Sequence, residues 1–344
     1  MGIYMDNAAT TMQKPDCVID AVVNAMRHMG NSGRGAHEAS LDASRLIYET
    51  REMLSELFNL GDPRQVAFTL NSTEALNTAI LGLFDPGDHI ISTVMEHNSV
   101  LRPLYRLEEK GCQVSFVPCD EKGRLRTDLL ESFLKENTKA LVCTHASNLT
   151  GNANDLMYLG RFCKDHGLLF VVDASQTAGV LPIDMQAMNI DVVCFTGHKG
   201  LYGPQGTGVL LCSTQAPVRP LMEGGTGSLS IQQEMPDFLP DRLEAGTANV
   251  PGIAGLLEGL RFVEKQGVQS IGSACWPGRQ LWGSPSFRKS MYTPVRTWPI
   301  RQALSPLRQK AGCSGRIGSQ YYLAVHKSRA YLPYAPLHLF LCSP

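Results

Sequence analysis

Val192-Val193-Cys194-Phe195-Thr196-Gly197-His198-Lys199-Gly200-Leu201-Tyr202-Gly203-Pro204 passes within a few residues from a continuous apolar run to a polar, glycine-rich loop. A short run of β-branched and aromatic residues bounded by turn signals reads as a buried strand. Lys199 stands where that strand empties. An amine partly withdrawn from water loses its proton more readily and can then form a Schiff base. One βα unit upstream, Leu168-Leu169-Phe170-Val171-Val172 leads in the same way into Asp173-Ala174-Ser175-Gln176.

Working outward, the same alternation covers about two hundred residues. Strand-like runs fall at 66–70, 89–93, 113–117, 140–144, 168–172, 191–195 and 207–212, with helical patterns at 73–84, 100–110, 128–135 and 155–166 between them. Two further helices precede them, at 16–29, where Val18, Ile19, Val22, Val23 and Met26 keep helical spacing, and at 40–58. Such alternation predicts an α/β fold with a mostly parallel seven-stranded sheet and helices on both faces. Ligands of open α/β sheets bind beyond the carboxyl ends of the strands. Polar clusters follow these strands at Asn71-Ser72-Thr73-Glu74, Glu96-His97-Asn98, His145-Ala146-Ser147-Asn148, Asp173-Ala174-Ser175-Gln176 and Thr196-Gly197-His198-Lys199, and are expected to converge on one site.

The chain has 344 residues and a formal net charge of −1, which gives a nucleic acid or an anionic membrane no general electrostatic hold. Ten cysteines without a Cys-x-x-Cys pair, several of them in strand-like runs, fit reduced core thiols better than disulfides or a metal site. With no secretory leader or membrane-length apolar run, the expected location is the cytoplasm. The charge is unevenly spread. From Lys265 to Pro344 there are eleven Lys or Arg and no Asp or Glu, and all three tryptophans and eight of the twenty prolines fall there. The sequence therefore divides into an N-terminal segment 1–15, a large domain 16–267 and an atypical basic tail 268–344. The tail reads as out-of-frame sequence in preference to a disordered extension or a nucleic-acid arm, because it lacks the charge mixing of a folded surface.

A carboxylate such as Asp173 at the mouth of a buried strand requires a cationic partner, and the protonated nitrogen of a pyridine ring is one. Paired with Lys199 one βα unit on, it points to pyridoxal phosphate in preference to a simple helix cap. Asn71-Ser72-Thr73-Glu74-Ala75-Leu76-Asn77 opens a helix directly after a strand, where backbone N–H groups and two hydroxyls suit a phosphate, although the same pattern also serves as an ordinary cap. Thr196 and His198 can add donors to that phosphate. His97, among the convergent loops, can lie across a planar ring and move protons.

Over about residues 3–267 the chain resembles the class V aminotransferase family, pyridoxal-phosphate enzymes of fold type I, and within it the cysteine desulfurase and selenocysteine lyase branch. Seven motifs in order carry the likeness: Tyr4-Met5-Asp6-Asn7-Ala8-Ala9-Thr10-Thr11, residues 71–77, Glu96-His97-Asn98-Ser99, Ser147-Asn148-Leu149-Thr150-Gly151, residues 173–176, residues 196–204 and Glu244-Ala245-Gly246-Thr247-Ala248-Asn249.

The resemblance implies that Lys199 binds the cofactor aldehyde and shuttles the α-proton, that Asp173 pairs with the pyridine nitrogen and that His97 stacks on the ring. Gln176 and Asn148 would bond around the ring hydroxyl and the substrate. Ser72, Thr73, Thr196 and His198 would hold the phosphate, joined by Thr247 from a second subunit of a homodimer, while Asn7 and Ala8 would line the substrate entrance. The implied reaction converts L-cysteine to L-alanine and passes the sulfur, as a persulfide on a cysteine, to an acceptor protein, as in iron–sulfur cluster assembly. The family's Arg-x-Gly-x-x-Cys loop is not found in the tail. Its nearest approach is Arg308-Gln309-Lys310-Ala311-Gly312-Cys313, with the glycine misplaced. The expectation is accordingly a cysteine desulfurase-like protein whose catalytic Cys/Arg loop is missing. The alternatives are another class V reaction, such as selenocysteine lysis, transamination or β-elimination, and a truncated, inactive product.

Overall fold

The computed structural model of the chain describes residues 4, 6–32, 35, 37–229 and 231–275. The expectations for the tail beyond Cys275, Cys313 among them, lie outside the described residues. All seven expected strands form: β1 (Val66–Thr69), β2 (His89–Thr93), β3 (Gln113–Val117), β4 (Thr138–Thr144), β5 (Leu169–Asp173), β6 (Val192–Thr196) and β7 (Gly208–Cys212). They make one sheet in the order β1-β7-β6-β5-β4-β2-β3. Strands β2 to β6 are mutually parallel, and β7 runs antiparallel to both β6 and β1. The reversal has a local cause: a parallel return needs a crossover of a dozen or more residues, commonly a helix, whereas the connection 197–207 contains none.

Helices cover both faces. On one, α3 (Ser72–Leu83) and α4 (Asn98–Glu109) bury Leu76, Ile80, Val100 and Leu104 against alternate sheet residues Ala140, Val142, Val171, Val192, Cys194 and Leu210. The intervening residues face the other way. Phe195 stacks on Phe58 at the end of α2 (Glu38–Leu57), ring centroids 4.8 Å apart. On α5 (Leu156–Asp165), Gly160 lies so close to the Met188 carbonyl and Phe170 that no Cβ would fit. This period-2 division within nearly continuous apolar runs is what a doubly covered sheet demands. α1 (Asp16–His28) and α2 pack on α6 (Val250–Gln266).

One expectation is corrected. Residues 128–135 do not form an α-helix; Thr127–Phe133 is 3₁₀. Only Leu130 is buried there and Asp128 is drawn to Arg126, with Arg126 Nε donating to Oδ1 at 2.8 Å, so the segment lacks the apolar stripe that sustains an α-helix. Helical structure continues past residue 267. Gly267 ends α6 in a left-handed conformation (φ +79°), and α7 (Val268–Cys275) follows, with Ile271 and Gly272 buried.

The first turn of α3 sits directly on β7. An added Cβ at Gly208 would lie 2.4 Å from the Asn71 carbonyl carbon and 2.5 Å from its Cα, and main chain cannot swing aside as a side chain can. Gly208→Ala is expected to destabilise the protein by about 1–3 kcal/mol, the usual cost of overpacking; urea unfolding indistinguishable from wild type would refute this packing argument.

Candidate active site

The polar clusters do converge. A cavity of about 220 Å³ is lined by Asn71, Ser72 and Thr73 after β1, Met95, His97 and Ser99 after β2, and Thr144, Ala146 and Asn148 at the end of β4. Asp173, Ser175 and Gln176 come from the end of β5, His198 and Lys199 from the loop after β6, and Ala9 from the N-terminal segment.

At the α3 end, Asn71 caps the helix by accepting the Glu74 N–H at 3.0 Å. The first-turn amides of Ser72 and Thr73 have no acceptor within the helix itself and, with the positive end of the helix dipole, suit an anion. The Thr73 hydroxyl lies 3.0 Å from Ser99 Oγ, which lies 2.9 Å from His97 Nδ1. The Ser99 N–H also donates to that nitrogen, at 3.2 Å, so Nδ1 is an acceptor and the ring of this exposed histidine is held from one edge.

Asp173, only 4% exposed, accepts from the Ser175 N–H at 2.9 Å and from the Ser175 hydroxyl on the same oxygen. Burial draws the Lys199 amine below its ordinary pKa, while the charge of Asp173 pulls the other way. Beneath the loops, fully buried Glu96 accepts from Thr93 Oγ1 at 2.5 Å and from the Thr144 N–H at 3.0 Å, tying the His97 turn to β4. Burial pushes its carboxyl up to about 8, the two hydrogen bonds oppose this and the nearby Asp173 charge adds to it.

Of the expected residues, Ser72, Thr73, His97, Asn148, Asp173, Gln176, His198 and Lys199 are brought together. Ala8 reaches the rim, its carbonyl accepting from Gln176 Nε2 at 3.1 Å, and Asn7 is exposed. Thr196 stands apart: its hydroxyl donates to the Thr207 carbonyl at 3.0 Å and the residue is 2% exposed, so it fastens β6 to β7. Thr247 lies beside a second cavity of about 570 Å³. Its segment is pinned at both ends. Glu244 accepts a bidentate pair from Arg51, at 2.9 and 2.8 Å, and the Phe68 N–H at 2.6 Å. Asn249 caps α6 through the Gly252 N–H at 3.0 Å and donates to the Gly206 carbonyl at 2.9 Å. Thr247 is thereby held exposed between two anchors.

Sequence reasoning assigned no role to Ser99, Ser175, Thr144, Thr10, Thr11 or Lys14. Ser99, Ser175, Thr10 and Thr11 stand inside quoted motifs, which was the available signal; Lys14 carried none. Among the described residues no cysteine lines the 220 Å³ cavity, and burial pushes the thiols of Cys143 and Cys194 far above their ordinary range.

A buried carboxylate, a lysine of lowered pKa and a helix N-terminus thus surround one cavity. Residues 3–274 match the aminotransferase class-V family, and the chain belongs to it. Members of that family use pyridoxal phosphate. The chain is 36% identical over 276 residues to a probable cysteine desulfurase of Methanothermobacter thermautotrophicus, covering 78% of this chain and 68% of that one. A probable cysteine desulfurase of Pyrococcus abyssi is also 36% identical, over 279 residues, with 78% and 69% covered. The apo structure of the cysteine desulfurase from Thermococcus onnurineus NA1 superposes with a TM-score of 0.74 at 32% identity, covering 83% of this chain and 74% of that one. Among the described residues no helix is long and apolar enough to cross a membrane.

The raised Glu96 pKa has a defined sign for stability. The folded carboxyl keeps its proton up to about pH 8, whereas the unfolded one releases it near its ordinary 4.5. The folded state thus binds more protons across that window, and stability falls as pH rises through it. Glu96→Gln removes this loss, so its urea midpoint should gain on wild type from the bottom of the window to the top. Parallel curves would show that Glu96 is ionised throughout.

Proposed function

We propose that this chain binds pyridoxal phosphate in the 220 Å³ cavity and acts on L-cysteine as a cysteine desulfurase, leaving L-alanine. The observation that carries the cofactor assignment is the pairing of buried Asp173 with Lys199, whose amine burial makes easier to deprotonate. The donor set fits the group: a carboxylate for a protonated pyridine nitrogen, a primary amine for an aldehyde, and helix amides with hydroxyls for a phosphate. When bound, the cofactor supplies an electron sink that weakens bonds at the substrate Cα.

The chain's own residues divide the remaining work. Asp173 keeps the ring nitrogen protonated, and Ser175 holds that carboxylate in place. Lys199 holds the aldehyde carbon and moves the proton at the substrate Cα. His97, oriented by Ser99, covers the ring and exchanges protons with the substrate. Ser72, Thr73 and His198 bind the phosphate, while Gln176 and Asn148 bond to the ring hydroxyl and the substrate. Thr196 keeps its bond to Thr207. The pinned, exposed Thr247 supports its assignment to the phosphate of a second subunit, and hence a homodimer. A thiolate of an acceptor protein would then take the sulfur as a persulfide, the S–S bond forming as the C–S bond breaks and Cβ taking a proton to leave alanine, as in iron–sulfur cluster assembly.

The departure of Arg308-Gln309-Lys310-Ala311-Gly312-Cys313 from the family's Arg-x-Gly-x-x-Cys pattern favours a second reading, a class V reaction that needs no thiol, such as transamination or β-elimination. Adding pyridoxal phosphate should give a visible absorbance band that Lys199→Ala abolishes; no band in wild type would sink the cofactor assignment. With the band present, L-cysteine should yield alanine and, with a reductant, sulfide in equal amounts. Pyruvate or a keto acid in their place would overturn desulfuration in favour of the second reading, and no product at all would mark the chain as inactive.

A further inference from the structure

Residues 8–14 lie as a strap along the lysine loop. The His198 carbonyl accepts from Lys14 Nζ at 2.9 Å and from the Thr11 N–H at 3.1 Å, and lies 3.3 Å from Thr10 Oγ1. The Lys199 carbonyl accepts from Thr11 Oγ1 at 2.9 Å. A carbonyl oxygen has two lone pairs, and the two shorter contacts fill them. The Thr10 hydroxyl has one proton and a second neighbour, His198 Nδ1, at 2.9 Å. With the carbonyl filled, that nitrogen is the better acceptor.

The identity of the protonated ring nitrogen matters because His198 lines the cavity at the cofactor phosphate's expected place. Burial, then the charges of Lys199 on its own loop and Lys14 on the strap, lower the His198 pKa to about 4, so the ring is neutral near pH 7. A neutral imidazole has one N–H. Were it on Nδ1, the remaining nitrogen would turn a lone pair toward an anion; placed on Nε2, it becomes a hydrogen-bond donor.

We propose that Thr10 is a positioning residue that donates to His198 Nδ1, fixing the Nε2–H tautomer so that a neutral histidine presents a donor to the cofactor phosphate. The phosphate half rests on the reading given under Proposed function; the tautomer half does not. Lys14 and Thr11 act with Thr10 by occupying the carbonyl that would otherwise take its proton.

Nitrogen-15 spectra of the histidine rings in the cofactor-free protein test the tautomer, with the His198 signals identified by their loss in His198→Gln. At neutral pH the wild type should show the Nε2–H pattern, Thr10→Ser should keep it, and Thr10→Val should lose it. An Nδ1–H pattern in wild type overturns the proposal, as does a Thr10→Val protein with the wild-type pattern. Thr10→Ser retains the donor and the fold, so the proposal stays exposed to refutation even if the valine variant unfolds. Titration with pyridoxal phosphate and with pyridoxal separates the two halves. Thr10→Val should weaken the phosphorylated ligand about tenfold or more, the scale of a hydrogen bond to a charged group, and leave pyridoxal unchanged. If the tautomer responds as stated but both ligands weaken equally, the phosphate assignment fails and the Thr10 assignment stands.

Discussion

A carboxylate held almost out of water is the constraint from which the rest of the site follows. Asp173 ends β5, the middle strand of the sheet, with β4 and β6 on either side. Charge buried there is tolerable only when donors and opposite charge meet it. The next turn supplies the donors through Ser175, and the loop after the adjacent strand supplies the Lys199 amine. Since the strands are parallel, their carboxyl ends lie along one edge, so the loops after β2, β4, β5 and β6 open onto the same space. The sheet thus brings together residues more than a hundred positions apart, and the buried charge decides which of them can sit opposite one another.

Around that charge, most of the fixing is done by main-chain groups. Glu96 joins the His97 turn to a β4 amide, Gln176 takes the Ala8 carbonyl, and two strap residues, Thr11 and Lys14, donate to the carbonyls of His198 and Lys199. The bonds to the His198 and Lys199 carbonyls fix that loop without using either residue's side chain. The Arg51–Glu244 pair does the same for the Thr247 segment: its charges are largely buried, its geometry is bidentate, and Phe68 lies under the guanidinium. Pairs of that form hold one arrangement in preference to neighbouring ones.

The sheet and the eight convergent site residues were legible because both rest on short-range pattern. Short apolar runs bounded by turn signals mark buried strands, and polar residues just after a strand fall at its carboxyl end whatever the remainder of the chain does. Thr127–Phe133 misled because Leu129, Leu130, Phe133 and Leu134 give helical spacing while only Leu130 is buried. The bond from the Thr196 hydroxyl to the Thr207 carbonyl, just ahead of β7, is a pairing no local pattern records. The strap escaped notice for the opposite reason: the bonds from Thr11 and Lys14 span up to 188 residues and end on main-chain carbonyls, which look alike in every sequence.

The reversed strand β7 carries a consequence for how the chain reaches this state. β1 touches the sheet only through β7, with Val66 opposite Leu211, and the Arg51–Glu244 bond behind it closes a loop of 193 residues. Contacts of such long range must overcome the entropy of loop closure before they stabilise anything. On a ribosome, β2 to β6 can assemble in chain order while β1 waits for its partner. The α3 N-terminus, with its free first-turn amides, hangs from that waiting strand. The 220 Å³ cavity therefore closes late, and a nascent chain can hold its lysine loop in place before the α3 end of the cavity is built.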